Sequence, residues 1–305
     1  MNLKNALGAL YDWYQKSNEL LVDSFDDVYF EEHGKVINAD GVLKNAAELE
    51  QIAHNLLTFA NIHKQANKFH YDFTLDLRTR VNIVFPPMSQ KGPSLNILKL
   101  PMQSLTWEDM LKWNVIRPEG KQFLEDAITT GKNFIVAGSA GSGKSTLLNI
   151  MASTIPENWR VVAIERTPNI ILQRKRYAKL MAPNHKKEEM IELIQAAAKM
   201  RADYLVHANL EGPESMELLD LIREGHSCMV LTTGENIYDA IKTVEFKVLS
   251  CNYSHNIEDI RYKIASAFDY IVFQEKIPDG ARKITKIAAI SYDEGKIKLE
   301  VVYAL

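Results

Sequence analysis

The chain has 305 residues, of which 46% are hydrophobic and 25% charged, with a formal net charge of −3 and two cysteines. This length suits two domains, each long enough to bury a core, and the composition is that of an ordinary globular protein. The weak acidic excess argues against a nucleic-acid binder, two cysteines outside any CxxC argue against a disulfide framework and suit a reducing cytoplasm, and no stretch nears the roughly 18 apolar residues that a membrane-spanning helix needs.

In chain order, residues 3–22 predict a helix, with Leu3, Leu7, Leu10, Tyr14 and Leu21 near one face. Short strands are expected at Val28–Phe30 and Val36–Ile37 around a Gly34 turn, and a helix over Leu43–Ala60. Strands follow at Phe73–Leu77, Val81–Phe85 and Leu95–Leu100, the second ended by Pro86-Pro87. Pro101 opens a predicted linker over 104–120, in which Thr106 and Asp109 have capping-box spacing ahead of a short helix. From about residue 121 the pattern alternates. Apolar strands are expected at 133–137, 160–164, 204–208 and 229–232, with helices near 145–154, 187–200 and 214–224. Such alternation predicts a parallel sheet covered on both faces. Tyr270–Gln274, Ile284–Ser291 and Ile297–Val302 read as added strands, with a turn at Pro278-Asp279-Gly280. The division expected is an α+β domain over 1–103, the linker 104–120, and an α/β domain over 121–305.

Residues 138–146 are Gly138, Ser139, Ala140, Gly141, Ser142, Gly143, Lys144, Ser145 and Thr146. They fit the phosphate-loop pattern G-x-x-x-x-G-K-[ST], with a strand before and a helix after. Glycines let the backbone curl so that its N–H groups face phosphate oxygens, and the helix N-terminus adds partial positive charge. Lys144 suits the β- and γ-phosphates and Ser145 a Mg²⁺ ion. The bland alternative, a Gly/Ser-rich surface turn, does not account for the strand and helix on either side. No N-K-x-D follows, which disfavours a GTPase. ATP with Mg²⁺ is the expected ligand.

Arg160–Ile170 (RVVAIERTPNI) resembles the aspartate box of type II/type IV secretion ATPases, written R-x-V-x-I-E-D-x-x-E-L. Met200–Glu214 (MRADYLVHANLEGPE) resembles that family's Walker B region, R-x-D-x-x-x-x-G-E-x-R-G-x-E. Gly225-His226 is similar to the start of its histidine box, and Arg80–Leu95 and Ile264–Val272 are similar to further family segments. The resemblance covers roughly residues 25–305 and is nearest to the CpaF-like ATPases of tight-adherence pili. It implies a hexameric ring whose subunits join a PAS-like N-terminal domain to a C-terminal RecA-like P-loop domain. ATP-driven closure of the two domains would drive membrane partners, from the cytoplasm at the inner face of the membrane.

Carried over residue by residue, Glu165 matches the family's general base, with a salt-bridge partner as the plain alternative. His226 matches a histidine placed near the γ-phosphate or across a subunit boundary, with a core histidine as the alternative. Arg80 matches an arginine that reaches over the nucleotide as a finger does, with a surface role as the alternative and Arg78 as a substitute. Asp203 and Arg201 match Walker B residues or cap the Tyr204 strand. Several positions depart: Arg166 stands for Asp, Asn209 for the Walker B glutamate, Glu211 for Arg, Gly234 for the second histidine and Leu98 for an arginine. The basic run Arg174, Lys175, Arg176, Lys179, Lys186, Lys187 reads as a solvated loop face or as a contact with anionic lipid or a neighbour. Two functions therefore stand: a motor ATPase with slowed turnover, or a nucleotide-binding paralogue sharing a ring with an active subunit. A DNA-processing RecA-like protein is disfavoured.

Overall fold

The computed structural model describes residues 2–32, 35–76, 78–100, 104–182, 187–210, 212, 214–250 and 256–305. Gly34, Leu77, Pro101, Lys186, Glu211 and Cys251 lie outside them. The chain forms two compact units, Met1–Met102 and Gln103–Leu305.

The first unit is α+β. Two short helices, α1 (Leu3–Leu7) and α2 (Tyr11–Lys16), are joined by a 3₁₀ turn at Gly8–Leu10. The single helix expected over 3–22 is thus wrong beyond Lys16. Gly8 breaks it at φ 52°, and Ser17 turns extended while its N–H and hydroxyl both bond the Trp13 carbonyl. The period then switches from helical to two. In β1 (Glu19–Ser24) Leu20, Val22 and Ser24 are buried and Asp23 is exposed. Next come β2 (Asp27–Glu32), β3 (Lys35–Asn38), α3 (Ala46–Phe59), β4 (His70–Thr74), β5 (Thr79–Val84) and β6 (Ser94–Lys99). The strands form an antiparallel sheet of order β3-β2-β1-β6-β5-β4. Leu49, Ile52, Ala53, Leu56 and Leu57 of α3 pack with Leu7, Leu10, Leu20 and Ile83 into one core. Asn45 caps α3 by accepting from the Glu48 N–H.

The second unit starts with α4 (Trp107–Lys112), capped by the expected Thr106/Asp109 box, and α5 (Pro118–Thr129), which has Pro at its first position. Trp107, Met110, Val115 and Ile116 are core residues here, so the segment anticipated as a connector is part of this unit's packing. The strands and helices then alternate: β7 (Phe134–Gly138), α6 (Lys144–Thr154), β8 (Val161–Glu165), β9 (Tyr177–Met181), α7 (Lys187–Lys199), β10 (Tyr204–His207), α8 (Glu214–Arg223), β11 (Ser227–Thr233), α9 (Ile237–Leu249), α10 (Ile257–Ala267), β12 (Tyr270–Lys276), β13 (Arg282–Asp293) and β14 (Lys296–Ala304). The sheet order is β14-β13-β12-β7-β11-β10-β8-β9. It is parallel from β12 to β9 and antiparallel through β12-β13-β14. Every residue of β7, β8 and β10 is buried, as a sheet covered on both faces requires. One face packs on α7–α10 and the other on α4–α6. The second unit is thus α/β and the smaller first unit α+β. No helix among the described residues is long and apolar enough to cross a membrane.

Candidate functional site

The expected phosphate loop joins the carboxyl end of β7 to α6, where open parallel sheets place their ligands. Gly138 is imposed by contact and Gly143 by its φ of 93°. A Cβ on Gly138 would fall 2.0 Å from the Gln274 carbonyl oxygen, and one on Gly143 would fall 2.9 Å from Gln274 Nε2. The first intrahelical bond of α6 runs from Leu147 N–H to Gly143 O. The amides of Lys144, Ser145 and Thr146 therefore open outward from the helix start, the arrangement that receives phosphate. Lys144 Nζ donates to Ser139 O at 2.6 Å. Its pKa lies below the usual lysine value, first because it is half-buried and then because Lys247 stands near.

The loop lines a cleft of about 630 Å³ with Leu105, Met110, Trp113 and Val115 as its apolar wall. Gln274, Ala281 and Arg282 complete it. Arg282 Nε donates to Gly141 O at 3.3 Å. Gln274, which lines the cleft, has its Oε1 buried without a hydrogen-bond partner, a polar atom that a ligand would satisfy; Ser142 Oγ in the loop is also buried without one.

Toward β8 the carboxyl ends of the strands carry buried charge. Glu165, the last residue of β8, is fully buried. Oε1 pairs with Lys179 Nζ at 2.7 Å, and Oε2 accepts from the Asn169 and Ile170 N–H groups, both at 2.9 Å. Burial raises its pKa, and Lys179 only partly offsets this. Here it holds the loop after β8. Asn169 occupies the second glutamate position of the aspartate-box pattern, a departure the sequence reading missed. Its side-chain amide bonds Thr167.

Arg166 reverses a family charge and is compensated: its guanidinium meets the fully buried Glu214 at 3.1 Å. Against this pair lies His207, the last residue of β10, 1% exposed. Its Nδ1 accepts from Asn209 N–H at 3.2 Å, and its Nε2 is buried without a partner. Burial pushes its pKa down to about 4; Glu214 opposes this, while Arg166 and Lys247 reinforce it. Sequence reasoning passed over His207. The available signal was a polar residue ending an otherwise apolar buried strand beside the altered Walker B position. Thr232 Oγ1 is a further buried atom without a partner.

The remaining sequence candidates are not brought to the loop. His226 precedes β11, whose far end, Thr233, pairs with Gly138. It thus lies at the opposite edge of the sheet, with Nδ1 3.2 Å from Ala202 O. Parallel strand direction dictates this: a residue before a strand and a loop after its neighbour sit at opposite ends. Asp203 shares that far edge and accepts from the Arg160 N–H at 2.6 Å, capping the entry of β10. Arg80 belongs to the first unit, where Asp72 holds it with bonds of 2.8 and 2.5 Å. Gly234 cannot be the expected histidine, since a Cβ there would meet backbone atoms of Ala240 at 2.6 and 2.7 Å. The basic run is not a solvated face throughout. Arg174 donates to the carbonyls of Ile155, Pro156 and Trp159, and Lys179 to that of Ile170.

The described residues do not fit a complete magnesium site. Ser145 lines the cleft as the expected ligand. Position 209 carries an amide, Glu165 and Glu214 are each engaged by a cation of the chain, and no group of three His, Cys, Asp or Glu side chains suited to a metal occurs among the described residues.

A parallel sheet of this order, with a glycine-rich loop and helix N-terminus at the end of an interior strand, defines a RecA-like P-loop protein. The chain belongs to the Type II/IV secretion system protein family, whose model matches residues 18–284. It is similar to a proposed conjugal transfer protein of Mycobacterium tuberculosis, 23% identical over 229 residues, which is 73% of this chain and 65% of that one. Type IV secretion system protein PtlH of Bordetella pertussis is 26% identical over 234 residues, covering 73% of this chain and 68% of that protein. Among solved structures, the pilus retraction motor PilT with bound ADP shares the fold at a TM-score of 0.65 and 14% identity, covering 98% of this chain and 84% of that one.

Proposed function

We propose that this chain binds ATP in the cleft at β7–α6 and serves as a motor ATPase of a type II/IV secretion or pilus-assembly machine, in the manner of the CpaF-like branch. The observation that carries the reading is the loop itself. Helix-start amides, Lys144 and Ser145 converge at one end of a cleft whose other wall is apolar. A triphosphate suits the first end, and Leu105, Met110 and Trp113 suit a nucleobase. The solved relative that carries ADP has the same fold. The chain works in a hexameric ring, or in a mixed ring with an active paralogue, against inner-membrane platform proteins and without nucleic acid. It is cytoplasmic and peripheral to the membrane.

Turnover is slow. Preorganised electrostatic groups are commonly worth about 10²–10³ each in rate, and Glu165 must leave Lys179 before it can act as a base. His226 and Arg80 act, in this reading, through the assembled ring. A binding-only paralogue is the second reading, favoured by the Arg166–Glu214 pair and by Asn209.

Steady-state ATPase measurements on the purified oligomer test the proposal, with Lys144→Ala and Glu165→Gln beside it. Slow turnover abolished in both variants supports the motor. Turnover equal to that of Lys144→Ala removes it and leaves the paralogue. No nucleotide binding at all removes both.

A further inference from the structure

We infer that this site uses cations of the chain itself in place of a divalent metal, and binds the triphosphate with little dependence on magnesium. The inference rests on the ATP reading above and concerns how the same cleft counters phosphate charge.

A magnesium ion at a nucleotide needs oxygen ligands, usually one or two carboxylates together with phosphates, and it keeps several waters that need acceptors of their own. Among the described residues this site is short of such oxygens. The pattern's Walker B carboxylate is the amide of Asn209. Glu165 spends Oε1 on Lys179 and Oε2 on two backbone N–H groups. Glu214 faces Arg166. Ser145 supplies one hydroxyl.

Positive charge is meanwhile concentrated at the same end of the sheet. Lys144 lies in the loop. Arg166 follows β8 directly. Lys247 reaches in from α9 and donates to the Leu210 carbonyl, and Leu210 N–H is bonded to Leu231 O of β11. That anchors the Lys247 ammonium at the carboxyl end of the strands. Its proximity is felt by both Lys144 and His207. His207 remains neutral near pH 7, with its unpartnered Nε2 buried, so it adds no charge of its own here. A metal at a nucleotide neutralises charge and fixes geometry. Here the ammonium groups of Lys144 and Lys247 supply the neutralisation, and the backbone cradle supplies the geometry.

Calorimetric titration of the full-length oligomer with ATP, in EDTA and in excess magnesium, tests this. The dissociation constants should agree within about fivefold, and Asn209→Asp, which restores the carboxylate, should open a magnesium preference of about tenfold or more. ATP binding that weakens more than about fivefold in EDTA overturns the inference while leaving the ATP reading intact. If Asn209→Asp folds with an unchanged melting temperature yet shows no new preference, the assigned cause is wrong. Absence of binding in both conditions defeats the ATP reading itself.

Discussion

Glu165→Gln separates an anchoring role from a purely chemical one. The parent carboxylate is fully buried, pairs with Lys179 at 2.7 Å and accepts two backbone N–H bonds. A glutamine still accepts both N–H bonds through its carbonyl oxygen but turns an NH₂ toward the ammonium. Breaking a buried pair from one side costs about 3–5 kcal/mol, because the surviving charge is stranded. Lys179 keeps its bond to Ile170 O and is 14% exposed, so the low end, about 3 kcal/mol, applies. For a unit of some two hundred residues that is a fall of about 6–12 °C in melting temperature. Calorimetry reads it directly. Adding Lys179→Met removes the stranded charge, and the double variant should recover to within about 1 kcal/mol of the parent, since a buried pair as a whole contributes little. Burial outweighs Lys179 and raises the pKa of Glu165, which agrees with a pair that contributes little as a whole. Glu165→Gln melting within about 2 °C of the parent would refute the anchoring role.

His207 makes stability depend on pH. Its folded pKa of about 4 lies below the unfolded value, so the unfolded chain binds more protons between the two. Its contribution is full above about pH 6.5 and is lost as pH falls toward 4, amounting to about 2 kcal/mol between pH 7 and 5. Urea midpoints should show that loss in the parent and its absence in His207→Leu; equal loss in both would remove His207 as the cause. Gly234→Ala should cost about 1–3 kcal/mol by overpacking against Ala240, read from the same midpoints, and a neutral result would contradict the close approach of α9. Trp113→Ala should weaken ATP by about 1–3 kcal/mol, as loss of a base-stacking ring does, while leaving inorganic triphosphate unaffected; equal weakening of both in calorimetry would remove the base from this wall.

Much of the architecture was legible in the sequence, and the failures have physical causes. Buried parallel strands are nearly pure apolar runs, so β7, β8, β10 and β11 stand out. The edge strand β9 does not. Its pattern runs from exposed Tyr177 to half-buried residues throughout, inside a basic stretch that reads as loop. Leu21 fitted a helical face by coincidence, because Gly8 and Ser17 interrupt the helix first. In the site, the loop was legible because its chemistry is local to eight residues. The pairing of Arg166 with Glu214 was not, since the two lie far apart in sequence, and for Glu165 the salt bridge stood as the plain alternative without its partner Lys179. His226 shows a further gap: a motif gives position along the chain, and only strand direction says which edge of the sheet it reaches.

The last strand also bears on the order in which the site is built. The Tyr303 ring lies so close over Gly120 that a Cβ there would come within 2.6 Å, and the Tyr303 hydroxyl accepts from Arg117 N–H at 3.0 Å. Ile284 N–H bonds Val115 O at 2.8 Å. Leu105 to Val115, synthesised before the loop, thus have to wait for residues 282–303 to be clasped into place. A nascent chain halted after α6 carries every residue of the phosphate-loop pattern but not the finished cleft, whose wall is complete only when synthesis of this unit has run through β14.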